Sequence, residues 1–111
     1  MDPRQLLENI TISFGPISLT TDLGRRKAEV LRKLRILLNE NIEISSEMQR
    51  LVNEMDRLNE IMRRGRLQTP QEKSAFNSAS QEFDLLSARG KRLSEQIDDL
   101  IIEARVLGAN V

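Results

Sequence analysis

Two apolar ladders with the same alternating step run along this chain and match each other when it is folded back on itself. The first reads Val30, Leu34, Leu37, Asn41, Ile44, Met48, Leu51, Met55, Leu58, Met62. The second reads Phe76, Ala79, Phe83, Leu86, Gly90, Leu93, Ile97, Leu100, Ala104, Leu107. Steps of four and three place every member on one seam of a helix, the pattern of coiled-coil packing. A reversal at Leu67 sets Leu58 against Phe76, Met55 against Ala79, Leu51 against Phe83 and Met48 against Leu86. The phase holds through Ile44 with Gly90, Leu37 with Ile97, Leu34 with Leu100 and Val30 with Ala104. A chance repeat does not keep phase across a turn. The pattern predicts an all-α fold: a long antiparallel two-helix coiled-coil hairpin with a short strand-like or extended N-terminal arm, associating into a helical bundle.

Local signals set the boundaries. Thr21 or Asp22 caps a first helix over 22–64, because either side-chain oxygen can accept a free amide of the first turn. Gly24 falls in that turn and weakens it. Gly65 supplies the left-handed stop, and residues 65–69 form the turn. Thr69, Pro70 and Glu72 spell the start of a second helix over 70–107: an N-cap, a proline at the first helical position and a carboxylate three residues after the cap. Arms of about 35 residues correspond to a rod of roughly 50 Å.

Residues 1–21 form the N-terminal arm. Asn9-Ile10-Thr11-Ile12-Ser13-Phe14 alternates small polar with large apolar residues, which predicts a short strand. Gly15-Pro16 breaks it, and Ile17-Ser18-Leu19-Thr20 resumes the alternation. The alternative is a coil that packs Ile10, Ile12, Phe14 and Leu19 against the helices. Residues 108–111 form a tail after the helix; alternatively the final segment from Arg105 to Val111, whose alternating end includes Val106, Gly108 and Val111, leaves the helix for a second strand at the foot of the hairpin.

Composition narrows the chemistry. Lysine plus arginine balance aspartate plus glutamate at 17 against 17, so no net field draws the molecule to nucleic acid or acidic membranes. Charged residues make up 31% and aromatics 3%, which suits a solvated coiled coil better than a thick core. Without cysteine or histidine there is no thiolate nucleophile, imidazole base, disulfide framework or common transition-metal site. Met1-Asp2-Pro3-Arg4 lacks the basic start and apolar run of a secretion signal, so a cytoplasmic location is expected. No cofactor or membrane span is expected, and carboxylates such as Asp98, Asp99 and Glu103 lie along a helix surface rather than converging in a pocket. An enzyme is not expected.

What the chain offers is surface. Leu31, Leu38, Val52 and Ile101 flank one side of the seam, and beyond them Ile36, Ile42 and Ile102 fall where a two-helix rod would leave them in water. Apolar surface of that extent marks a contact, so the base half of the hairpin, with these residues except Val52, reads as a protein interface, covered by the arm, a second copy or a partner. Asn41 stands at a seam position opposite Leu93 and reads as a register-setting residue, because every misalignment leaves its amide unpaired. Arg63, Arg64 and Arg66 cluster at the turn; they would meet an anionic partner or nucleic acid there, or simply offset the helix dipole.

The turn Gly65-Arg66-Leu67-Gln68-Thr69-Pro70 and the exit Ala104-Arg105-Val106-Leu107-Gly108-Ala109-Asn110-Val111 resemble the coiled-coil hairpin of the bacterial flagellar-assembly-protein-A family. The resemblance covers most of residues 10–111. It implies a bacterial cytoplasmic scaffold with strands at the feet of the hairpin and no catalytic residues. Together these features predict a non-catalytic structural or interaction module that self-assembles or docks on a protein partner. The alternatives are a binding module working through the arginine tip and a small helical secretion-type chaperone.

Overall fold

The computed structural model describes residues 2–111, and they are all-helical. α1 spans Pro3–Phe14, α2 Asp22–Arg63 and α3 Pro70–Val106, with no strand among the described residues. The long helices end one residue short of 64 and 107.

Their ends follow capping chemistry. Thr21 Oγ1 accepts a hydrogen bond from the Gly24 amide at 3.0 Å and opens α2. At its far end Gly65 adopts φ +81°, with its own amide on the Met62 carbonyl and the Arg66 amide on the Ile61 carbonyl. That pair of bonds is a Schellman stop. α3 begins with a complete capping box: Thr69 Oγ1 accepts from the Glu72 amide at 3.1 Å, and Glu72 Oε1 accepts from the Thr69 amide at 2.9 Å. Gln68 Nε2 ties the turn back by donating to the Leu58 carbonyl at 2.9 Å.

The N-terminal segment corrects the strand expectation. Asp2 Oδ1 accepts from the Arg4 amide, Pro3 starts the helix, and the amide of Gly15, at φ +64°, closes it on the Thr11 and Ile12 carbonyls. Leu6, Leu7, Ile10 and Phe14 recur at helical spacing, and that wider period outweighs the local alternation. Ile10 and Phe14 are buried while Ile12, part of the same alternation, is 69% exposed. The C-terminal strand is absent too. Gly108, at φ +107°, takes another Schellman stop, with its own amide on the Arg105 carbonyl and the Ala109 amide on the Ala104 carbonyl.

The chain divides into two compact units, Met1–Ile42 with Arg92–Val111, and Glu43–Lys91. The core of the first joins Ile10 and Phe14 of α1, Val30, Leu34 and Leu38 of α2, and Leu93, Ile97, Leu100 and Ala104 of α3. Leu107 and Ala109 close it from the tail. Each fully buried aliphatic side chain contributes on the order of 1.5–3 kcal/mol. α1 is fastened to the C-terminal tail and to α2: the Asn110 amide donates to Ser13 Oγ at 2.6 Å, and Lys27 Nζ stands 5.4 Å from the centre of the Phe14 ring.

The second unit has a thinner core. Ile44, Leu51, Leu58 and Ala79 are buried, while Met48, Met55, Phe76, Phe83 and Leu86 are half-buried. A Cβ placed on Gly90 would lie 3.7 Å from Ile44 Cγ2, so α2 and α3 approach each other where the ladders pair these residues. Met62, the last member of its ladder, is exposed. Charges along α2 pair within the helix: Arg32 with Glu29, Arg50 with Glu47 and Arg57 with Glu54, each three residues apart. Glu47 and Glu54 thus turn to arginines of their own helix rather than across the seam.

Candidate protein interface

The six apolar residues expected to form an interface all lie in the first unit, and the structure sorts them into three groups. Leu38 is 5% exposed and belongs to the core, which removes it from any contact surface. Leu31, Ile42 and Ile101 are half-buried. Ile36 is 53% exposed and Ile102 55%.

α1 accounts for the sorting. Lys27, Leu31 and Leu38 share one flank of α2 by their spacing of four and seven, and Lys27 carries the contact with Phe14. On α3, Ile101 borders a hollow of about 720 Å³ shared with Leu6, Asn9, Ile12 and Ser13 of α1. Leu31 lines another of about 430 Å³ with Ile17 and Leu19 of the loop after α1, and Ile36 stands at its far edge, between this hollow and the opposite flank. These residues therefore sit at the margins of the N-terminal segment.

The other flank stays open. Lys33 is two residues from Leu31, and Asp99 two from Ile101, so each points roughly 200° away from its neighbour around its helix. Lys33, Ile36 and Leu37 of α2 face Gln96, Asp99 and Leu100 of α3 across a shallow groove of about 380 Å³. Beyond it Val106 follows Ile102 by one turn and is 81% exposed. Sequence reasoning assigned Val106 to a possible strand; its four-residue spacing from Ile102 was the signal for a shared helix face.

Asn41 is half-buried. The arginines of the turn are exposed, and each has a carboxylate beside it. Arg63 Nη1 lies 3.5 Å and Arg64 Nε 3.4 Å from Glu60, and Arg66 Nη2 lies 3.0 Å from Glu72. The Thr69 amide and hydroxyl, with Arg66, hold the Glu72 carboxyl below its ordinary value of 4.5. Glu29, Glu47 and Glu54 are lowered by hydrogen bonds from Arg32, Arg50 and Arg57. Three arginines thus share two carboxylates, Glu60 and Glu72, so the turn is a largely compensated cluster rather than a bare cationic patch.

Gly24 carries a constraint that the sequence concealed. It is buried, and a Cβ there would fall 1.6 Å from the Ser18 carbonyl oxygen. The loop from α1 crosses the first turn of α2 at this point, against the missing side chain. Among the described residues no cluster of three or more acidic, histidine or cysteine side chains could hold a metal ion, and no helix is long and apolar enough to cross a membrane. Comparison with known proteins found no matching family model, curated protein or solved structure.

Proposed function

We propose that the chain is a non-catalytic interaction module: an antiparallel coiled-coil hairpin of α2 and α3, flanked at its base by α1, that associates through the face α1 leaves open. The paired ladders, the Gly90–Ile44 approach and the pinned turn between the helices support the hairpin. The single observation behind the contact face is that Ile36 on the lip of the groove, and Ile102 and Val106 on α3, remain exposed although α1 packs at the opposite flank. Apolar side chains grouped on one face gain most when another surface excludes water from them. A scaffold role, as the resemblance to the flagellar-assembly-protein-A family implies, needs nothing more than such a face.

Light scattering over a tenfold concentration range, with circular dichroism alongside, tests this reading. The wild type should show a mass above the monomer, and Ile36→Glu with Ile102→Glu should return it to the monomer at unchanged helicity. Equal masses above the monomer for the two proteins would count against the open face. The arginine tip is the weaker candidate, because Glu60 and Glu72 already answer its charges.

A further inference from the structure

We propose that the occupant of the open groove is a second copy of this chain, set by a two-fold axis along the groove so that Lys33 of each copy meets Asp99 of the other. This rests on the open-face reading and specifies its partner.

The argument is charge self-complementarity. One wall of the groove carries Lys33 beside Ile36 and Leu37; the other carries Asp99 beside Leu100. Both charged residues stand one position before a member of the seam, Leu34 or Leu100, so they lie at nearly the same height on opposite walls. A two-fold axis along the groove lays α2 of one copy over α3 of the other at equal height. Lys33 then faces Asp99 twice, once on each side of the axis, as an isologous interface requires. Ile36, level with Asp98 in the paired ladders, is covered at the same time by the Gln96–Asp99 turn of the other copy.

Both groups are free to take part. Lys33 Nζ has only a 3.9 Å approach to Glu29 on its own helix, and its side chain remains half exposed at 51%. Asp99 makes no ion pair among the described residues and is exposed. A perpendicular axis would set α2 on α2 and α3 on α3, which loses the pairing. A foreign partner would have no reason to match these two charges to each other.

Charge swapping between copies is the test. Lys33→Glu alone places two carboxylates at each contact, and Asp99→Lys alone places two ammonium groups there. Each variant should dimerise at least about tenfold more weakly than the wild type in sedimentation equilibrium. Mixed in equal amounts, the two variants should form a heterodimer about as stable as the wild-type dimer, because each contact again joins opposite charges. An effect confined to one chain cannot restore association on mixing.

A wild-type dimer indifferent to both reversals, yet broken by Ile36→Glu with Ile102→Glu, overturns the paired geometry and leaves the open face standing. A dimer indifferent to all four substitutions overturns both. A wild-type monomer at every concentration up to about millimolar, where even weak specific contacts register, overturns the second copy as occupant.

Discussion

Gly24→Ala is the substitution at which local propensity and tertiary packing demand opposite signs. In a helix interior, glycine to alanine gains about 0.8–1 kcal/mol, so propensity alone predicts a more stable protein. At Gly24 the added methyl would stand 1.6 Å from the Ser18 carbonyl oxygen, 2.7 Å from its carbon and 2.9 Å from Thr21 Oγ1. The first two are backbone atoms, so a rotamer change relieves nothing; the loop must retreat by well over an ångström. Thr21 Oγ1 both caps α2 and donates to the Ser18 carbonyl at 3.3 Å, so the retreat disturbs the cap as well. Overpacking costs about 1–3 kcal/mol. A lost threonine cap costs about 1 kcal/mol more. Against the propensity gain, Gly24→Ala should destabilise by about 1–3 kcal/mol. Gly90→Ala is the control, because its methyl would meet Ile44 Cγ2 at 3.7 Å, an ordinary contact. It should stabilise by about 1 kcal/mol. Urea unfolding followed by far-ultraviolet circular dichroism measures both, with an unchanged slope required for the comparison. If Gly24→Ala matched or exceeded the wild type, the loop would not cross α2 at this residue.

Ile10→Ala should cost about 2–5 kcal/mol in the same assay, because its side chain is completely buried. Ile12→Ala should stay within about 0.5 kcal/mol, and equal effects would restore the alternating strand reading. The carboxyls of Glu29, Glu47, Glu54 and Glu72 titrate below 4.5 in the folded chain, so the unfolded chain takes up their protons first. The melting temperature should be level from neutral pH down to about pH 5 and fall as the pH drops below 4.5, less steeply in Glu72→Gln. A melting temperature unchanged down to about pH 3 would refute that coupling.

The long helices were legible because heptad spacing, caps and stops agree over the same stretch of chain. Thr69-Pro70-Gln71-Glu72 could be read from four letters, since a capping box is made by the residues that spell it. Residues 9–14 could not, because six alternating positions satisfy a strand while a four-residue step through Leu6, Ile10 and Phe14 satisfies a helix. What decided between them is tertiary: Phe14 gains a place in the core and Ser13 a bond to the Asn110 amide, far away in sequence. Gly24 was misread for the same reason, as a weak helix residue rather than the gap through which another segment passes.

The candidate site inherits that misreading and is sharpened by correcting it. A flat arm would leave open which of the six apolar residues it hides. A helix occupies a definite flank, and the side chains it reaches are those that share the flank of Lys27. Leu38 is removed from the surface, Leu31 and Ile101 become edges, Ile42 is half-buried away from α1's hollows, and Ile36 and Ile102 are left exposed. Had α1 been built to cover both flanks, no apolar face would remain and the chain would be a closed three-helix unit at this end. It covers only one, and the uncovered flank carries opposite charges on its two walls, Lys33 and Asp99. Apolar exposure sets where association is favourable, and the charges set which alignment of two surfaces is permitted. The same twelve-residue helix that completes the core thus also leaves uncovered the flank on which the proposed second copy would dock.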